Sequence, residues 1–282
     1  MTQRLAMYLE KILALLAAAL VAIGAGIGLT WLALNPAPQL ADTGADATAS
    51  APAQASASPD KGSARQQIEA LIASTPDYAR YFARLRETFT DDYEAALNDF
   101  AARLAETNQE QSVDYYLSET VRRIRTSHGA LAAKAEPEPI ARVFEKQLQV
   151  LQAVAREDKR MCVAFLYGAT NLDFQRFAAS RRPIVSDMAL AGLEAIVSGQ
   201  AKKIERDAPT EADFRLLEEA LAARGLNKVE IDALLDGKMP NPPLEDARMC
   251  DAGQTYFEVL KTLPEPARTK VYGLALELMA RS

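Results

Sequence analysis

Apolar residues recur along most of the chain at alternating steps of three and four. Tyr93, Leu97, Phe100 and Leu104 follow this spacing, as do Leu117, Val121, Ile124, His128 and Leu131. Ile140, Phe144, Gln147, Leu151 and Val154 repeat it with one polar interruption. Phe214, Leu217 and Leu221 continue it, and Val271, Leu274, Ala275 and Leu278 close it. Such a period lays one apolar stripe along an α-helix. No run alternates with period two, and no Asn-Gly hairpin signal occurs. Boundary residues agree with helices. Thr75-Pro76-Asp77 sets a cap residue before a proline at the first helical position. Asn227 with Glu230, and more loosely Thr210 with Asp213, have the spacing of a cap and its third-position carboxylate. Gly225 and Gly237 follow helical patterns where a left-handed C-cap is wanted. Pro183, Pro209, Pro240, Pro242, Pro243, Pro264 and Pro266 mark breaks. The pattern predicts an all-α domain of roughly eight to ten short helices over residues 65–282. Asp207-Ala208-Pro209 is the candidate place for a split within it.

The N-terminal part has a different pattern. Arg4 and Lys11 precede residues 12–34, which are free of charge and mostly Leu, Ala, Ile and Gly. At about 1.5 Å per residue this run spans roughly 34 Å, enough for a hydrocarbon core of about 30 Å. Trp31 near its end suits a membrane interface. Basic residues lie on the N-terminal flank and none follows until Lys61. The positive-inside rule therefore puts residues 1–11 in the cytoplasm and residues 35–282 outside. A cleaved signal peptide would have an apolar region of about 7–15 residues ending at a small-x-small site. Leu34-Asn35-Pro36-Ala37-Pro38 does not supply one, and no Cys follows to make a lipoprotein. Gly24 and Gly28 have GxxxG spacing, a candidate homodimer face, although Gly is common in spanning helices generally. Residues 35–64 are rich in Ala, Pro, Ser and Thr and poor in large apolar side chains, so a disordered tether is expected. The expected location is the bacterial cytoplasmic membrane, with a single-pass signal anchor and the C-terminal domain in the periplasm.

Composition and charge narrow the function. Residues 65–282 carry 29 basic against 34 acidic side chains. A mildly acidic body has no electrostatic footprint for nucleic acid. Two cysteines exist, Cys162 and Cys250, both on the outward side. An even count in an oxidising compartment points to one disulfide, with two buried free thiols as the alternative. Arg160-Met161-Cys162 and Arg248-Met249-Cys250 echo each other, and aromatic residues follow each. The echo suggests two related helices meeting at the bridge. Two thiols and one distant histidine do not make a metal site, and no motif implies a cofactor.

His128 is the only histidine, so any Ser-His or Cys-His chemistry would have to use it. Its neighbour Ser127 points about 100° away on a helix, and His128 itself sits in an apolar stripe, which reads as structural. No GxSxG, HExxH, P-loop or CxxC occurs. Ser118-Glu119 reverses the order of a transglycosylase Glu-Ser pair. Asp91-Asp92 read as first-turn residues favourable to a helix dipole. Arg122-Arg123 with Arg125, Arg181-Arg182, and Lys202-Lys203 with Arg206 are candidate anionic contacts. They read more simply as solvated faces partly paired with acids. The expected function is a membrane-anchored extracytoplasmic helical module for protein interaction or envelope support. The alternative is a cell-wall enzyme of glycosidase type using carboxylates. A broad exposed apolar patch would favour the first. A cleft holding a carboxylate of raised pKa would favour the second.

Overall fold

The computed structural model describes residues 60–168, 172–236 and 240–281. The expected anchor at 12–34, with Gly24 and Gly28, lies outside them, as do Gly237 and the tether up to residue 59. Among the described residues no helix is long and apolar enough to cross a membrane.

All regular structure among the described residues is helical. The helices are α1 (Lys61–Ala73), α2 (Pro76–Thr88), α3 (Thr90–Thr107) and α4 (Val113–His128), then a 3₁₀ turn (Gly129–Lys134). After it come α5 (Pro137–Glu157), α6 (Lys159–Leu166), α7 (Leu172–Ser180) and α8 (Arg182–Lys202). The last four are α9 (Glu211–Ala223), α10 (Lys228–Asp236), α11 (Asp246–Thr262) and α12 (Ala267–Arg281). These twelve exceed the eight to ten expected from periodicity, because short breaks separate helices that look continuous in pattern. Phe89 alone divides α2 from α3, and Asp158 divides α5 from α6 while capping the latter through Met161 N at 2.8 Å.

The tether boundary at residue 64 needs correction. Asp60 Oδ1 accepts from the amides of Gly62 and Ser63, and a helix starts at Lys61. Ala64, Ile68 and Ile72 then bury one face of α1. The Gly and Ser of its first turn look like tether in composition, but an N-cap aspartate decides the local conformation. Other boundaries follow the sequence closely. Thr210 and Asp213 form a reciprocal capping box, and Asn227 and Glu230 exchange the equivalent bonds. Gly225 takes φ +87°, the left-handed cap.

Helix α8 is the centre of the molecule. It buries Val185, Ser186, Ala189, Leu193, Ala195, Ile196 and Gly199 on several sides, as expected of a helix enclosed by others. It packs against α2, α5 and the 3₁₀ turn. The turn also contacts α12, so the last helix returns to the middle of the chain. Helix α11 packs on α6 and α5. Residues beyond 207–209 thus share one continuous core with those before, reaching from Ile68 to Leu276.

Among the described glycines the tightest packing lies at Gly199. A Cβ there would stand 1.7 Å from the carbonyl oxygen of Leu131 in the turn. Gly192, seven residues earlier on the same helix, has no heavy atom within 4 Å of such a Cβ. Gly199→Ala should therefore destabilise by about 3 kcal/mol or more, since backbone must move. Gly192→Ala should be neutral or stabilise by about 0.5–1 kcal/mol through helix propensity. Urea denaturation of the two variants checks the contrast, and equal effects would contradict this packing.

Candidate ligand-binding cavity

The helical core does not close completely. Between the facing sides of α4, α5, α8 and α12 lies a cavity of about 340 Å³. Small-molecule pockets run from about 300 to 1,000 Å³. Small residues create the space: Ala189 and Gly192 on α8, Ala275 on α12 and Ala132 in the turn all line it. Rigid rings keep its walls apart. Phe144 in the lining stacks on Tyr272 at 4.0 Å between centroids, and Phe165 stacks on Phe174 at 5.2 Å. Sealed and empty, such a void would cost about 8 kcal/mol at about 24 cal/mol per Å³. That is comparable to the whole stability of a domain.

Helix α4 gives the cavity one polar edge. Leu117, Val121 and Ile124 form its apolar stripe, and Ser118, Arg122 and Arg125 form the next stripe round the helix. Ser118 is exposed, and the two arginines are half-buried, so the cavity reaches the surface here. Arg122 is tied to Glu119 through Nε at 3.2 Å and through Nη2. Arg125 makes no side-chain hydrogen bond or ion pair with another described residue. Burial, and then the charge of Arg122, push its guanidinium below its ordinary pKa. Gln147, also in the lining, donates among the described residues to the thioether of Met279, at 3.4 Å. Among the described residues no Asp, Glu, Lys, His or Cys lines the space. The arrangement can hold an apolar body and meet polar or anionic atoms at one edge. It presents no general base.

The residues singled out in the sequence fall elsewhere. Cys162 and Cys250 are both buried and bonded to each other, with Cα atoms 5.7 Å apart, joining α6 to α11. The echoed Met161 and Met249 are buried beside them, and Tyr167 Oη lies 3.8 Å from Met249 Sδ. His128 Nε2 sits 3.0 Å from Asp92 Oδ2 in the first turn of α3, with its ring against Phe89 at 4.7 Å. Ser127 is exposed and apart from it. Glu119 is held by Arg122 and Arg123. Burial raises its pKa, but these arginines outweigh burial and bring it below the ordinary value, the opposite of a general acid. Of the basic clusters, Arg123 pairs with Asp99, Arg181 with Glu157 and Lys202 with Glu136. Arg206 departs from the solvated-face reading. It is turned inward, donating to the carbonyls of Ala133 (2.6 Å) and Ala135, with its Nε buried and unpartnered. Among the described residues no three His, Cys, Asp or Glu side chains converge as metal ligands would.

Periodicity missed one buried polar cluster. Asp114, at the start of α4, is 6% exposed. It accepts from Tyr78 Oη (2.7 Å), Arg182 Nε (3.1 Å) and Arg182 Nη2 (2.9 Å). Desolvation opposes its ionisation, but the bonds from Arg182 and Tyr78 outweigh that and hold its carboxyl below the ordinary range. With its acceptors used, Asp114 is a bolt between α2, α4 and α8. Its folded pKa is depressed, so the stability it adds is present above the unfolded carboxyl pKa of about 3.9 and is lost as pH falls through the folded value. Arg182→Met should cost about 2–3 kcal/mol at pH 7, the half-exposed guanidinium tempering the full cost of a broken buried pair. The gap to the parent in urea denaturation should narrow below about pH 4. A gap that stays constant with pH would show that Asp114 is not the group responsible.

Compared with known proteins, the chain matches no family model, no curated protein and no solved structure.

Proposed function

We propose that this chain is a membrane-tethered, extracytoplasmic helical binding module that carries an apolar ligand in the core cavity of its helical domain. The observation that carries the reading is the cavity itself: about 340 Å³, lined mostly by apolar side chains, with Ser118, Arg122 and Arg125 at one edge and no Asp, Glu, Lys or His among the described residues of its wall. The tether and its orientation rest on the charge-free run 12–34 with Arg4 and Lys11 on one flank. The bonded Cys162 and Cys250 suit an oxidising compartment.

A module that binds protein through a broad apolar face has less support. The large apolar side chains exposed among the described residues are Leu71, Leu172, Leu216 and Val229, on four different helices. Apolar binding surface is turned inward instead. The carboxylate enzyme needs an acid whose pKa is raised in a cleft. Glu119, Asp114, Asp213 and Glu230 all shift down, burial in each case being outweighed by hydrogen bonds and neighbouring cations.

Two measurements test the reading. N-phenyl-1-naphthylamine brightens in apolar surroundings and should do so with the folded domain. Gly192→Leu, which grows into the cavity, should abolish most of that signal while circular dichroism stays helical. No brightening with the parent, or undiminished brightening with the variant, would remove the cavity from consideration. For the topology, maleimide labelling of unfolded protein from cells should modify Cys162 and Cys250 only after reduction. Free labelling without reductant would place the domain in a reducing compartment.

A further inference from the structure

We infer that the cavity takes an anionic single-chain amphiphile, a long aliphatic tail ended by a carboxylate or phosphate, whose head group pairs with Arg125. The inference rests on the binding reading above and adds the chemistry of the ligand. Helix α4 carries three arginines, Arg122, Arg123 and Arg125. Two have carboxylates: Glu119 for Arg122, and Asp99 at 2.7 Å for Arg123. Arg125 alone has none among the described residues, and burial followed by the charge of Arg122 lowers its pKa. A half-buried cation without a counter-charge costs free energy unless something supplies one.

The place of Arg125 says what that something is. It lines the same cavity as Leu117, Phe144, Leu193 and Leu274, so an anion beside it is continuous with an apolar chamber. Gln147 is close to the same end of α12. Its amide reaches Met279, and Arg125 and Ala280 both flank Gly129, at 3.2 and 3.0 Å from where a Cβ would stand. A thioether is a weak acceptor, so the Gln147 amide is free to exchange it for a head-group oxygen. Among the described residues no acid lines the cavity to repel an anion or attract a cation. A neutral oil would leave Arg125 unpaired, and a cationic detergent would be repelled by it. The tail supplies area for burial, and the head supplies the missing charge.

The test is displacement of N-phenyl-1-naphthylamine from the folded protein by dodecanoate, dodecyl phosphate, dodecanol and dodecyltrimethylammonium, each below its micelle concentration. One of the two anions should bind roughly 10- to 100-fold tighter than dodecanol, the range for a hydrogen bond to a charged group. The tighter one identifies the source as a fatty acid or a phosphate-headed lipid. Arg125→Gln should erase that preference and leave dodecanol unchanged, and Arg125→Lys should keep part of it. Gly192→Leu should weaken all of them. The melting temperature of ligand-free Arg125→Gln should equal or exceed that of the parent. A lower one would make Arg125 a structural cation and overturn the assignment. Equal binding of anion and alcohol by the parent, or tighter binding of the cation, would overturn the ligand class while leaving the cavity reading intact. Failure of the probe itself to bind would instead sink the cavity reading.

Discussion

Of the described glycines, Gly199 brings backbone closest to backbone, where α8 approaches the 3₁₀ turn. The Leu131 carbonyl occupies the space that any side chain at 199 would need. Around that contact the chain has been tied down from several directions. Ile204 N donates to Lys134 O at 2.9 Å, and the inward-turned Arg206 holds the carbonyls of Ala133 and Ala135. Glu136 N donates to Ser198 Oγ at 3.1 Å. On the other side α12 brings Gly273 near Arg206 and Ala280 near Gly129. Backbone meets backbone here because a side chain is absent at 199, and the carbonyls of Ala133, Lys134 and Ala135 find donors in Arg206 and Ile204, while Arg206 Nε stays buried without a partner. Helices α4, α8 and α12 meet at this turn, so their mutual placement depends on it.

The tight contact and the cavity share a cause. Small residues along α8 and α12 let backbone close in where a neighbour is ready to fill the gap. Where no neighbour fills it, the same residue type leaves a hole. Gly199 is of the first kind and Gly192 of the second, on one face of one rigid helix. A helix held at its C-terminal end cannot tilt inward to collapse the space further up, and close-packed cores transmit that constraint rather than absorb it.

Legibility in the sequence divided along physical lines. Stripes on α3, α4, α5, α9 and α12 were readable because each has a solvent face that gives the period contrast, and Tyr93, Leu97, Phe100 and Leu104 are all buried as the spacing implies. Helix α8 was silent, since a helix apolar all round has no stripe to detect. The bridge between Cys162 and Cys250 was readable from count and echo. Asp114 was not, because its partners Tyr78 and Arg182 come from positions 36 and 68 residues away. Arg125 stood in view as one of a basic cluster. Its difference from Arg122 and Arg123 lies in which acids the fold brings to them, and spacing along the chain does not carry that. The cavity was illegible for the same reason: absence of a side chain at Gly192 means nothing until the neighbours are known.

The cavity persists because both ends of its walls are pinned by unlike means. At one end Gly199 holds α8 against the turn by backbone contact, and α12 packs on the same turn beside the Arg206 strap. At the other, Cys162 and Cys250 hold α11 to α6 by a covalent bond that closes 88 residues of chain. In the chain-entropy model a loop that long contributes about 4–5 kcal/mol by restricting the unfolded state. Collapse could otherwise draw the walls together, since a void of about 340 Å³, were it sealed and empty, would cost about 8 kcal/mol. Filling the void with a ligand removes that cost without moving the walls. A ligand that does so adds its binding free energy to the stability of the folded state, so occupancy and fold are thermodynamically linked. The pinned walls, rather than any single lining residue, are what make the space available for binding.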